Sequence, residues 1–234
     1  MHRTNLLLAS FSEADATAIR PYLASVHLEH QKVLFEEGDT IKHAYFPEGA
    51  IISLVVGLST GEMVEAAMVG RDGVVGASSA LDGKISLSRA IVQISGDSLV
   101  CDVDALKSAA LQSHSFLSKL IRHEQTVYSQ AQQSTACMAA HDVEARLCRW
   151  LLRARDLSGD DTLLFTQEFL AEMLGVRRNS VTTVAHTLQR AGMIKYARGR
   201  IQVLNVDGLR ESACECYETV NSNYLALLGN DPQK

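Results

Sequence analysis

The chain has 234 residues, 47% of them hydrophobic and 21% charged, with a formal net charge of −5. That is enough apolar material for one large or two small domains, and the overall acidity gives no general reason to expect a polyanionic partner. No stretch approaches the roughly 20 apolar residues of a membrane span, and the run Leu6–Ala9 is too short for a secretory signal, so a cytoplasmic protein with no membrane partner is expected. Five cysteines, an odd number in a chain of this kind, argue against a disulfide framework.

Residues 1–30 carry two amphipathic helical patterns. Residues 31–104 change character: the runs VLFEE, AIISLVV, MVEAAMV and RAIVQIS are separated by Gly38, Gly49, Gly61, Gly70, Gly73, Gly76, Gly83 and Gly96. Short β-branched runs between frequent turns predict a compact antiparallel barrel or sandwich. From Asp97 to Ser158 there is neither Gly nor Pro, which predicts a helical zone. Within it Leu117, Leu120, Glu124, Val127, Ala131, Ser134 and Met138 recur at alternating steps of three and four, a heptad seam. A narrow seam of this kind fits a partner helix and hence a homodimer; the alternative is one helix lying on its own domain. A second helical pattern runs through Val143, Leu147, Trp150, Leu151 and Ala154. Asp142 at its start and Arg153 and Arg155 near its end suit the helix dipole. Asp156–Asp161 then reads as a polar loop.

Charge is distributed unevenly. Between Met173 and Val206 lie Arg177, Arg178, Arg190, Lys195, Arg198 and Arg200 and not one Asp or Glu, although the chain as a whole is acidic. A basic island on an acidic body is the electrostatic footprint of a local polyanion site. The island has a defined shape. Thr166 is a good N-cap, with Glu168 in the first turn of a short helix over Gln167–Leu174. Gly175 closes that helix, and a second helix runs from about Arg177 to Ala191, ended by Gly192. Val181, Val184 and Leu188, with Ala185 beside them, make its buried stripe. Arg178, Asn179, Thr182, Thr183, His186 and Arg190 take the other side. Two short helices joined by a three- or four-residue glycine turn are a helix-turn-helix, whose second helix enters the DNA major groove. Ile194, Tyr196, Ile201 and Val203 then alternate around ARGR, a hairpin with Gly199 at its turn and Arg198 and Arg200 beside the tip. This is a wing placed to touch phosphate.

These residues resemble the Crp/Fnr superfamily of bacterial transcription regulators, along nearly the whole chain. The resemblance rests on the Gly-punctuated run from VLFEEGDTIKHAYFPEGAIISLV to SRAIVQIS, the long central helix, and above all TQEFLAEMLGVRRNSVTTVAHTLQRAGMIKY. It implies an α+β protein with an N-terminal antiparallel β-roll of the double-stranded jelly-roll kind over residues 1–112. A dimerisation helix over 113–139 and a winged helix-turn-helix domain with a helical tail over 140–234 follow. It further implies a non-enzymatic, homodimeric regulator of double-stranded DNA that reads a two-fold symmetric operator and works with RNA polymerase. The family's base-reading positions fall on Arg178, Asn179 and Thr183, with Thr182 adjacent; Arg177, His186, Arg198 and Arg200 complete the expected DNA-binding set. The family often has Glu in place of Asn179 and Arg in place of Thr183. Asn suits adenine and the Thr methyl suits thymine, so the operator should differ from those of the best-known members.

The same resemblance places an effector pocket at Gly76, Ala77, Ser88 and Arg89. Cyclic-nucleotide members have Glu in place of Ala77, and here the arginine of the later run is displaced by one residue. In a strand that shift turns a side chain to the opposite face. Cyclic AMP is therefore not the expected effector, although a cyclic-nucleotide-responsive regulator stays as the alternative. An iron–sulfur centre needs clustered Cys near the N-terminus, and residues 1–100 have none. His27, His30 and His43 could serve haem by number alone, and are read as solvated or hydrogen-bonded. Cys214 and Cys216 form a C-x-C pair, read as one buried and one exposed thiol, with a redox sensor as the other possibility. No cofactor and no metal site is expected. A β-roll metal enzyme, the remaining rival, would need histidines on neighbouring strands, and Gly49–Gly96 contains none.

Overall fold

In the computed structural model, which describes residues 5–229, two layers of antiparallel strands form a roll against which the long central helix and parts of the C-terminal domain pack. Two short helices lead in, α1 (Leu6–Ala9) and α2 (Glu13–Ile19), followed by a 3-10 turn over Arg20–Tyr22. The strands are β1 (Ala24–Leu28), β2 (Val33–Phe35), β3 (His43–Pro47), β4 (Ile51–Gly57), β5 (Met63–Val69), β6 (Arg89–Ile94) and β7 (Gly96–Asp102). One sheet has the order β1-β7-β3 and the other β2-β6-β4-β5. The unbroken apolar run of β4 has a physical cause. Ile52 packs into the core of the roll, while its neighbour Ile51 and the later Val55 face outward into the core shared with the C-terminal domain. A strand covered on both faces loses the apolar–polar alternation of a half-exposed one.

Two strands lie where helix was expected. β1 falls inside the N-terminal zone, and β7 occupies the first residues of the Gly-free zone, paired on both sides with β1 and β3. The lack of Gly and Pro between Asp97 and Ser158 reports an uninterrupted chain, which a central strand satisfies as well as a helix does. Helix α3 (Val103–Gln112) follows. Ser113 then accepts the Phe116 N–H and opens α4 (His114–Ala140), of 27 residues.

The inner face of α4 is fixed to its own roll. Phe116, Leu120, His123, Thr126, Gln130, Ser134 and Cys137 are buried. Val74 donates its N–H to His123 Nε2 at 3.1 Å, and Gln130 both accepts from the Met68 N–H at 2.6 Å and donates to the Met68 carbonyl at 3.3 Å. This corrects the seam. Leu120, at 0% exposure, belongs to the protomer's own core, Ser134 is buried too, and Val127 packs on the core of the roll. Leu120 and Ser134 are not free for a partner helix, and Val127 is half-buried, as Leu117 is. The outward stripe is displaced by one residue, to Ile121 and Tyr128, 51% and 63% exposed. Leu117, Ala131 and Met138 are half-buried. A count of threes and fours finds a stripe on a helix but does not distinguish it from the adjacent stripe one residue on.

After α4 come α5 (Val143–Ser158), β8 (Thr162–Leu164), α6 (Gln167–Leu174), α7 (Arg178–Arg190), β9 (Ile194–Ala197), β10 (Arg200–Val203), α8 (Val206–Ser212) and α9 (Cys216–Leu228). Helix α5 continues through residues expected to be loop, because Asp156 is buried and accepts the Tyr217 hydroxyl at 2.7 Å. Two buried polar contacts connect this part of the chain to the rest. Trp150 Nε1 donates to Glu65 Oε1 at 3.0 Å, and Arg153 pairs with Asp72 at 2.5 Å while lying over the Tyr224 ring. Among the described residues no helix is long and apolar enough to cross a membrane.

Candidate nucleic-acid interface

The turn between α6 and α7 is built from local signals. Thr166 accepts the Phe169 N–H and starts α6. Gly175, at φ +60°, ends it: the Val176 N–H reaches the Ala171 carbonyl and the Gly175 N–H that of Glu172. That left-handed closure is costly for a residue with a Cβ. Space is short as well, since a Cβ at Gly175 would come within 3.1 Å of Val64 on β5. The α6–α7 turn therefore rests on the roll.

Helix α7 packs Val181, Ala185 and Leu188 inward, with Val184 half-buried. Arg177, Arg178, Asn179, Thr183, His186 and Arg190 are exposed. No side chain caps the start of α7, so its first N–H groups are open to an anion. The two threonines differ. Thr182 is half-buried and donates its hydroxyl to Gln167 Oε1 at 2.7 Å, tying the two helices together. Thr183 is exposed, with its hydroxyl turned back to the Asn179 carbonyl at 3.0 Å, which leaves its methyl for an apolar contact.

Strands β9 and β10 meet at a two-residue turn, Arg198 at φ +51° and Gly199 at φ +74°. Positive φ at both central residues is the type I′ geometry that suits the twist of a hairpin. Sequence reasoning missed the third strand of this wing: β8 pairs with β10 and puts Leu164 opposite Arg200. Three residues are too few for a periodicity to register. The wing is tied to α7 by the Tyr196 N–H, which donates to Gln189 Oε1 at 3.0 Å. Arg198 and Arg200 are exposed, and among the described residues none of the six basic side chains from Arg177 to Arg200 makes an ion pair.

The expected effector residues are split. Gly76 and Ser88 line a cavity between the roll and α4, walled by Phe35, Ile41, Glu124 and Val127. Ala77 is fully buried. Arg89 grips Glu36 with both Nε and a terminal nitrogen, at 2.6 and 2.9 Å, while its neighbour Ala90 points into the core. His27 and His30 are hydrogen-bonded, to Asp97 and to the Gln93 carbonyl.

Residues 145–212 match the family model of the Crp-like helix-turn-helix domain. Known structures extend the likeness across the molecule. FixK2 of Bradyrhizobium japonicum superposes with a TM-score of 0.71 at 16% identity, covering 82% of this chain and 98% of that one. A CRP-family transcriptional regulator of Thermus thermophilus gives 0.67 at 20%, covering 80% and 96%. The c-di-GMP responsive global regulator CLP of Xanthomonas campestris gives 0.65 at 14%, covering 82% and 99%. No curated protein matches the chain by sequence. The chain has the Crp/Fnr fold and carries a Crp-like helix-turn-helix domain. Its reading as a regulator, not an enzyme, rests on that domain and that fold.

One feature of this Crp/Fnr-type chain was not anticipated. Cys214 and Cys216 are both buried, not one in and one out, because Cys214 precedes α9 and only Cys216 belongs to it. They meet Cys137 and His141, from the end of α4. The Cys214 thiol, hydrogen-bonded to the Cys137 sulfur, holds the Cys137 thiol down to about 5 and is itself pushed up. Among the described residues this is the grouping of side chains suited to hold a metal ion, and it lies outside the roll. Two of the four lie more than 70 residues from the other two, beyond the reach of a spacing motif.

Proposed function

We propose that this chain is a homodimeric, sequence-specific regulator of transcription that binds double-stranded DNA. Helix α7 enters the major groove of a two-fold symmetric operator and the wing grips the flanking phosphates. The observation that carries this reading is the set of exposed cations from Arg177 to Arg200, free of carboxylate partners among the described residues, on a chain that is otherwise acidic. Arg178 is the guanine reader, Asn179 suits adenine, and the Thr183 methyl suits thymine. Thr182, tied to Gln167, orients the helix and does not read a base. Arg177, His186, Arg198 and Arg200 supply further contacts. Two protomers join along the Ile121–Tyr128 stripe of α4, flanked by Leu117, Ala131 and Met138. That places two copies of α7 for half-sites about 34 Å apart. RNA polymerase is the partner through which such a dimer acts.

A small effector fits the cavity of Gly76 and Ser88, which abuts α4. Cyclic AMP does not fit it well: among the described residues its lining carries Glu124 and no cation, and Arg89 of the expected pocket is committed to Glu36. Titration with cyclic AMP in a calorimeter is expected to give no heat.

Selection of bound duplexes from a random pool tests the function directly. A two-fold symmetric consensus is expected, with affinity that falls steeply as salt rises, by a log–log slope of about 0.9 per phosphate neutralised. Tyr128→Asp is expected to give monomers in sedimentation velocity and to lose the symmetric footprint. A chain that selects no sequence, or binds with no dependence on salt, overturns the reading.

A further inference from the structure

The long helix ends at a cluster of sulfur and nitrogen donors. Cys137 and His141 lie four residues apart, which places them on one face at the end of α4. Cys214 and Cys216 flank Glu215 where the chain leaves α8 and starts α9. One donor atom from each of the four lies within 4.8 Å of the other three. The Cys137 and Cys214 sulfurs are 3.5 Å apart, as are Cys216 Sγ and His141 Nδ1. A tetrahedral zinc ion with thiolates at about 2.3 Å spaces its sulfur donors by about 3.8 Å. The four donors therefore already stand near the spacing of a Zn²⁺ coordination shell.

The groups behind the donors point the same way. Gln133 Nε2 donates to Cys216 Sγ at 3.0 Å, a bond that favours the thiolate. His141 Nε2 lies 3.2 Å from Glu215 Oε1, so the carboxylate takes that N–H and Nδ1 is left as the atom facing the sulfurs. A carboxylate behind a histidine in this way fixes the tautomer a metal needs. Three thiolates exceed the charge of Zn²⁺ by one. Arg146 and Arg149, on the first turns of α5, provide positive potential beside the sulfurs. A cluster of inert buried thiols would account for neither the oriented imidazole nor the amide donor.

We infer that Cys137, His141, Cys214 and Cys216 form a Cys3His site for Zn²⁺. The ion displaces the remaining thiol protons to solvent and accepts four donor electron pairs, with no change of oxidation state. An iron–sulfur cluster fits the set less well, since such clusters take four thiolates or two thiolates with two imidazoles. The site joins the end of α4 to α9 across the turn from which the Crp-like domain leaves the long helix. On the DNA-binding function proposed above, an ion there sets the pose of each recognition helix relative to the dimer axis.

The test uses the full-length chain, reduced and stripped by chelator, titrated with Zn²⁺ against a chromophoric competitor and separately with Co²⁺. One ion per chain is expected, with the intense visible bands of tetrahedral cobalt and a thiolate-to-cobalt charge-transfer band. Cys137→Ser and His141→Ala are expected to weaken binding at least 100-fold. Cys101→Ser and Cys148→Ser, whose thiols are buried elsewhere, should leave it unchanged. Glu215→Gln removes the carboxylate behind His141 at an exposed position that the fold does not need, and is expected to weaken binding about 10- to 100-fold. No stoichiometric uptake, an octahedral cobalt spectrum, or equal losses in Cys101→Ser would each overturn the site. Zinc uptake by a chain that ignores DNA supports the site and sinks the DNA-binding function; DNA binding by a chain that takes no zinc does the reverse.

Discussion

The arginines of the body and those of the proposed interface differ in what they are attached to. Arg89 holds Glu36, Arg153 holds Asp72 and Arg155 holds Asp161. Arg177, Arg178, Arg198 and Arg200 hold no carboxylate among the described residues. The contrast follows from solvation. A guanidinium taken out of water needs a fixed counter-charge, as Arg153 does. An exposed one gains little from an ion pair and loses little without it. A cation left unpaired on the surface is thus available to phosphate at almost no cost to the fold, and it is this availability, more than the number of charges, that separates the proposed interface from the rest of the molecule.

The contrast is broken most directly at Asp72. Asp72→Asn leaves the buried Arg153 without its counter-charge and is expected to cost about 3–5 kcal/mol of stability, read from urea denaturation. Arg178→Ala is expected to leave stability within about 0.5 kcal/mol. Its effect belongs to DNA: a loss of about 1–3 kcal/mol in affinity, with relaxed preference at one base pair of each half-site. Equal destabilisation by the two substitutions would remove the distinction between committed and available arginines.

What could be read from the sequence divides along similar lines. The helix-turn-helix was legible because its constraints are local: Thr166, Gly175 and the stripe Val181–Ala185–Leu188 all act within 25 residues. Arg89 was legible as a displaced residue because strand alternation is also local, and Ala90 does take the inward place. Features that depend on which distant surface covers a segment were not legible. β7 has the composition of a helix as much as of a strand, and only its pairing with β1 and β3 decides. Leu120 and Ile121 are neighbours on one helix, and which of them faces outward is decided by the roll beneath. The cysteine cluster is the extreme case, two pairs brought together only by the packing of α9 on α4.

Glu65 supplies the acidic counterpart of the comparison. It is buried, and it accepts from Ser53, Gln93 and Trp150, neutral donors where Asp72 has an arginine. Burial outweighs those bonds and the charge of nearby Arg149, and raises its carboxyl above the ordinary 4.5. The folded chain therefore keeps a proton that the unfolded chain has already lost. From about 4.5 up to the raised value, stability falls as pH rises, by at most about 1.4 kcal/mol per pH unit for this one group, and above that value the penalty is complete. Glu65→Gln is expected to remove that slope, seen by comparing urea midpoints of the two proteins from mildly acidic to neutral pH. Parallel curves would mean that the three donors and Arg149 hold the carboxylate ionised despite its burial.

Arg198 occupies a left-handed turn position that suits Asn or Gly far better than a long side chain. Nothing in the fold repays this, since its guanidinium has no ion-pair partner among the described residues. Arg198→Asn is therefore expected to raise stability, by about 1 kcal/mol at most. On the proposed function each protomer would give up one phosphate contact, weakening binding of every DNA sequence alike and lowering the salt slope by about one per half-site. Stability and affinity then move in opposite directions through a single side chain, as expected of a residue kept in a strained place for what it does outside the protein. A variant that gains stability and keeps both its affinity and its salt slope would show that the wing does not reach the backbone of the duplex, and would confine the interface to α7.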